Sequence, residues 1–376
     1  IICSQYLGSG NEKQCNKAAN QVVLTVFVIS AVLTAVCLIG SEGLLRLIFG
    51  AVEESVMEDS LVYFLITVMS YPFLALFNAG AAFYRAGGDS RFPMEVSVIS
   101  NILNIAGNAV LIYGLQWGVA GAAIATLISR IFCTIVVFYC LRKPRQKIVV
   151  RDYLQIRPDM PLIMKIMAIG IPSGIENGMF QFGKLAIQST VSTMGTAAIA
   201  AQAMTNILEN VNGIFGIGVG IGLMTVVGQC IGAGRKEEAK YYIVKLTSIA
   251  WVGILCSCLL VLAITKPVTW LAGMESESAA LCFEMMVAIT IVKPLVWVGS
   301  FVIGYGLRAA GDVRFSMIVS TITMWCCRVA LCIYLVKVFH FGPMAVWIGM
   351  FADWTIRGIL FSGRFVSGKW LKSKVC

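Results

Sequence analysis

The chain carries ten long apolar stretches, at roughly residues 21–40, 60–84, 93–113, 118–141, 162–190, 196–227, 241–264, 281–306, 315–338 and 343–362, most of them joined by short turns. An apolar run of about 20 residues spans the hydrocarbon core of a bilayer as a helix. In lipid, every backbone N–H and C=O must be bonded internally, which leaves helices and closed barrels as the spanning structures. Charged residues make up only 13% of the chain, whereas a soluble domain is nearer to about a quarter, and the mean hydropathy is +0.85. So many apolar runs cannot share one water-solvated core. The composition therefore predicts an all-α polytopic membrane protein with the lipid bilayer as its surroundings.

A repeat sets the architecture. Residues 84–94 read YRAGGDSRFPM and residues 307–317 read LRAAGDVRFSM. Arg85, Asp89 and Arg91 recur as Arg308, Asp312 and Arg314, at an offset of 223 residues. QYLGSG at 5–10 and QCIGAG at 229–234 repeat at an offset of 224. In the second half, two apolar stretches precede QCIGAG and four follow it; in the first half, four follow QYLGSG and none precedes it. Internal symmetry thus predicts six plus six helices in a parallel repeat, with the first two absent from this chain. The expected divisions are an N-terminal bundle over 1–141, a linker over 142–161 and a C-terminal six-helix bundle over 162–376. Even numbers of spans give both halves one orientation, related by an axis along the membrane normal.

The net charge of +10 follows this topology. One set of loops holds Lys13, Lys17, Arg85, Arg91, Arg142, Lys143, Arg145, Lys147, Arg151, Arg157, Arg235, Lys236, Lys240, Arg308, Arg314, Arg364, Lys369, Lys372 and Lys374; the opposite set holds Arg46, Lys266 and Lys337. Basic loops face the cytoplasm, so both termini are expected there, in a plasma membrane (the inner one for a Gram-negative source). Nucleic-acid binding is not needed to explain the charge. The first residues, to about 20, read as a polar loop, and the GLLRLIFG stretch reads as a helix lying on the membrane surface. The thirteen cysteines are scattered through apolar runs and His340 is the single histidine. No metal site, phosphate loop or catalytic triad is spelled out, so no enzymatic step, no cofactor and no metal is expected.

Ionisable and polar groups inside the spans are the functional candidates. Glu176, Phe180 and Lys184 lie near one face of a helix, with Asn177 and Gln181 beside them; Asn177, Phe180, Gln181 and Lys184, with Gln202 and Asn206, are expected to line the substrate cavity. Gln202, Asn206 and Glu209 line one face of the next. Folding that hairpin about Met194 places Glu209 between Glu176 and Lys184 in depth, giving either a cation- or proton-binding cluster or a buried structural pair. In the last hairpin Arg328 and Asp353 share a depth, with Arg357 one turn beyond Asp353, which favours an internal ion pair. The same construction puts Arg130 level with Asn101. Asn101, Asn104 and Asn108 line a face that either binds a polar substrate group or bonds across helices. Gly213, Gly216, Gly218, Gly220 and Gly222 allow close helix approach or a bend. Pro72 and Pro294, at nearly equivalent places, predict paired kinks. Lys293 has no evident partner. The RAxGDxRF loops read as tight turns with local Asp–Arg pairing.

The paired RAxGDxRF loops, the paired QxxGxG motifs, GIPSGIENGMFQF opening the second half, NILNIAGNAVLIYGLQWGVAGAAIAT and VWIGMFADWTIRGILFSGRFVSGKW together resemble the multidrug and toxin extrusion (MATE) family, bacterial type, over essentially the whole chain. The resemblance implies two six-helix bundles around a central cleft open alternately to either side. It also implies efflux of organic, often cationic compounds in exchange for H⁺ or Na⁺. Part of the family uses an acid in the seventh helix, for which Glu176 is the only candidate, and another in the tenth, where none lies between Glu284 and Asp312. Glu176, with Glu209, is the expected coupling site. A lipid-linked saccharide flippase of the same superfamily, with Lys184 and Lys293 meeting a pyrophosphate, is the alternative, and a transport-inactive fragment is a third reading.

Overall fold

The computed structural model describes residues 1–49, 53–143, 146–150 and 156–372. Arg145, Arg151 and Lys374 of the basic loops lie outside the described residues. Among the described residues all regular structure is helical. The chain forms two compact units, residues 2–166 and residues 167–376 together with residue 1.

The first unit begins with α1 (Ile2–Gly8) and α2 (Glu12–Ile39), so most of the stretch read as a polar loop is helical. Asn11 explains the break between them: its side chain accepts the Gln14 N–H at 3.1 Å and starts α2. Gly40 ends α2, and the short α3 (Ser41–Phe49) follows where the surface-lying helix was expected. Next come α4 (Glu54–Met69) and α5 (Tyr71–Ala86), bent by 42° between them. Pro72 sits in the first turn of α5, where its missing N–H costs nothing. α6 (Arg91–Asn108) runs on as a π-helical turn, Ala109–Gly114, and α7 (Gly118–Leu141) closes the unit. α2 packs on α5, α6 on α7, and both α4 and α5 on α7.

The second unit takes most of α8 (Met160–Val191), then α9 (Thr196–Gly232), α10 (Lys236–Leu271) and α11 (Ser276–Ala309). α12 (Val313–Thr323) passes through a π-helical segment, Met324–Ala330, into α13 (Leu331–Phe339), and α14 (Met344–Val366) follows. α8 turns into α9 through Ser192–Met194 and Gly195, whose φ of 93° lies in the left-handed region open to glycine. α11 is the hub, packed against α9, α10 and α14. Pro294 lies inside α11 without interrupting it. Thus only the first of the two expected kinks is a helix break, because Pro72 falls at a helix start and Pro294 within a helix held on several sides.

Eight helical stretches among the described residues are each long and apolar enough to cross a membrane, and the bent α4–α5 pair makes a ninth. The tenth apolar stretch is the 32-residue α8, whose hydropathy is interrupted by Lys165, Glu176 and Lys184. Large apolar side chains stand exposed on the outside, Ile39 at 89% and Val366 at 82%, as lipid-facing positions do and water-facing ones rarely can. Inside, small residues let helices close up. A Cβ on Gly216 would run into Trp297, and one on Gly220 into Tyr305.

Candidate functional site

α9 presents Gln202, Asn206 and Glu209 toward its neighbours, as their spacing requires. Gln202 is buried, donates to Asn206 Oδ1 at 3.2 Å and accepts the Trp347 indole N–H at 3.1 Å. It therefore ties α9 to α14. One turn on, Glu209 Oε1 takes the Lys293 ammonium of α11 at 2.6 Å, and the Glu209 carbonyl accepts a second bond from it at 3.2 Å. Lys293 is fully buried, and its Nζ lies 5.1 Å from the Trp297 ring centroid. A Cβ on Gly213 would stand 3.5 Å from that Nζ, in ordinary contact with it. The lysine that lacked a partner in the sequence is thus the counter-ion of Glu209.

Glu176 pairs instead with Arg308 Nη1 at 3.2 Å. Arg308 belongs to the last turn of α11 and stacks on Tyr305 at 4.7 Å. Lys184 is exposed, its Nζ 5.1 Å from the Phe180 ring centroid. The expected Glu176–Lys184–Glu209 cluster therefore does not form. α11 supplies both counter-cations, and each carboxylate goes to the nearer of them. Asn177 is exposed and donates back to the Ser173 carbonyl at 2.8 Å, and Gln181 is exposed beside it.

A second buried set joins the π-helical segment to α14. Asp353 Oδ2 pairs with the Arg357 guanidinium, and Arg328 Nε lies 3.7 Å from the same oxygen. Arg328, Asp353 and Arg357 are exposed by only 2%, 0% and 3%. Arg328 lies on the Phe180 ring at 5.0 Å and Arg357 on Phe301 at 4.9 Å.

In the first unit Arg130 donates to the Ser70 hydroxyl rather than to Asn101, because Ser70 sits at the break between α4 and α5. Asn101 is exposed, whereas Asn104 donates to Thr126 at 3.3 Å and accepts from Asn108 at 3.2 Å. The duplicated loops are used differently. Asp89 Oδ1 accepts the N–H groups of Arg91 and Phe92 at 3.1 and 3.2 Å, while the Arg91 side chain turns to Glu95. Asp312 is buried and bonded to Arg364 of α14 at 2.7 and 3.3 Å. Neither copy makes the local Asp–Arg side-chain pair expected of it. Gly88 at φ 93° and Gly311 at φ 99° make the turns; Arg85 is half-buried and Arg314 exposed.

Helices that only lipid can solvate, joined inside by buried ion pairs, define a polytopic membrane protein. The MatE family model matches residues 1–110 and 172–334, and the chain belongs to that family, the multidrug efflux transporters called MATE. It is 28% identical over 388 residues to the probable multidrug resistance protein NorM of Thermotoga maritima, covering 100% of this chain and 81% of that one. It is also 28% identical over 380 residues to the uncharacterised transporter YisQ of Bacillus subtilis, covering 99% and 82%. The fold matches the outward-facing conformation of a multidrug resistance MATE family transporter of the MOP superfamily with a TM-score of 0.89 at 18% identity, covering 99% of this chain and 83% of that one. Members of the family are transporters of small molecules, not enzymes, and need no cofactor.

Proposed function

We propose that the protein exports small organic compounds, organic cations among them, by alternating access in exchange for inward H⁺ or Na⁺. The parallel repeat, both termini cytoplasmic and the monomeric state form part of this reading. The observation that carries it is the Glu209–Lys293 pair, 2.6 Å across and on the hub helix beside Pro294. An intramembrane carboxylate that can hold one cation at a time is what exchange requires. A proton or Na⁺ taken by Glu209 leaves Lys293 without its counter-charge in the interior, at a cost of several kcal/mol. That cost favours a rearrangement of α9 against α11. Glu176 with Arg308 repeats the arrangement near the end of α11. The flippase alternative loses one of its supports, because Lys293 is committed to Glu209.

The test is efflux of a cationic dye under imposed pH and Na⁺ gradients. The double variant Glu209→Gln with Lys293→Gln removes both charges together, and Glu176→Gln removes the second carboxylate. Both are expected to abolish gradient-driven efflux at unchanged expression. Efflux undiminished in both removes these carboxylates from the mechanism.

A further inference from the structure

Two cations of the second unit flank Phe180, and a third shares a carboxylate with one of them. Lys184 Nζ and Arg328 Cζ lie 5.1 and 5.0 Å from its ring centroid, and Arg357 joins Arg328 at Asp353. Asp353 meets both guanidiniums through one oxygen, Oδ2, and leaves each only partly bonded. Each Nε is buried without a hydrogen-bond partner, and Arg328 Nη1 makes only a long contact, 3.7 Å, to the Met324 thioether. Asp353 Oδ1 is likewise unbonded. Arg328 also projects from the π-helical segment 324–330, a local distortion that proteins often keep for function. Water could fill the free N–H groups, but it would leave one buried positive charge in excess. Such a charge is costly unless paired. An anion answers both needs, and guanidinium N–H groups suit carboxylate and phosphate oxygens.

We propose that Lys184, Arg328 and Arg357 form a subsite for a compact anionic group, a carboxylate or phosphate, carried by the small organic molecule that the protein exports. The proposal rests on the transport reading above for the identity of that molecule. Exposed Lys184 meets the anion first, the Phe180 ring takes its apolar part, and the free Nε of Arg328 ends the path. Zwitterions, which join an anionic group to a cationic one, are then among its substrates.

The purified protein in neutral detergent is titrated at constant ionic strength with benzoate, inorganic phosphate, uncharged methyl benzoate, and micelles carrying phosphatidylglycerol, and its melting temperature is read. Benzoate or phosphate should raise it with concentration, as a ligand of the folded state does, and methyl benzoate should not. Arg328→Gln should weaken the apparent affinity by about tenfold or more, and Lys184→Gln, at an exposed position that does not endanger folding, by about threefold. No shift with either soluble anion, a shift unchanged in both variants, or a shift with the anionic lipid alone overturns the subsite. Dye efflux is followed in parallel. Efflux without an anion shift overturns the subsite alone, and an anion shift without efflux supports the subsite while overturning the transport reading.

Discussion

Single residues in this protein take their meaning from what balances their charge. Lys293 is fully buried and its ammonium is held by the side chain and carbonyl of Glu209. Lys293→Met removes the cation and leaves the carboxylate at low exposure. Breaking a buried pair from one side costs about 3–5 kcal/mol, far more than removing both partners. The single variant should therefore melt well below the double variant Glu209→Gln with Lys293→Gln in detergent, and equal melting temperatures would show that the pair carries no such penalty. The two copies of the repeated aspartate separate in the same way. Asp312→Asn loses a charged tie to Arg364, whereas Asp89→Asn keeps an oxygen able to cap α6. The first should destabilise the protein more than the second despite the shared motif.

At the scale of helices, packing is governed by where small residues fall. Of the run in α9, Gly216 and Gly220 lie directly under Trp297 and Tyr305, while Gly218 and Gly222 face open space. At Gly349 an added Cβ would sit 2.9 Å from the Arg328 carbonyl oxygen of the adjoining segment. Gly216→Ala and Gly349→Ala should lower the melting temperature. Gly218→Ala should leave it unchanged or raise it slightly, since alanine stabilises a helix interior by about 0.5–1 kcal/mol over glycine. Identical effects at Gly216 and Gly218 would mean the run serves flexibility rather than contact. The contrast also marks what the sequence makes legible. Lipid demands long apolar helices, so the spans are written plainly, and counting from a turn brings Arg328 and Asp353 to one depth because their helices form a hairpin. That counting fails for Glu209 and Lys293, whose helices α9 and α11 are neighbours in space but not in order. It fails again for Arg308, which reads as a loop residue yet extends the last turn of α11 to Glu176. The glycine run declares that close contacts exist and not which glycine makes them.

At the scale of the molecule, the described residues between α7 and α8 are bound to the first unit before α8 departs. Asn16 of α2 accepts the Val149 N–H at 2.9 Å, and Gln21 brackets the linker, donating to the Arg157 carbonyl at 2.8 Å and accepting from the Asp159 N–H at 3.1 Å. Lys17 pairs with Asp159, whose other oxygen accepts the Leu162 N–H. Ile148 and Val150 of the same segment are buried. The division between the two units falls just beyond it, after residue 166, so the described residues of this segment belong to the first unit. The Lys17 ammonium and the Leu162 N–H hold the Asp159 carboxyl below the usual carboxylate range. A carboxyl lowered in this way contributes fully above its unfolded-state value and loses that contribution as pH falls through the lowered one. The clasp should therefore be insensitive to pH around neutrality and loosen only in strong acid. Gln21→Leu deletes both brackets at once. Trypsin cleavage at Lys147 and Arg157 in otherwise intact micelles should then be several-fold faster than in the parent, because proteolysis follows the population of the opened segment. Lys17→Met, which removes only the exposed pair, should raise it less. Equal cleavage rates in all three proteins would mean that the linker is held by the burial of Ile148 and Val150 alone.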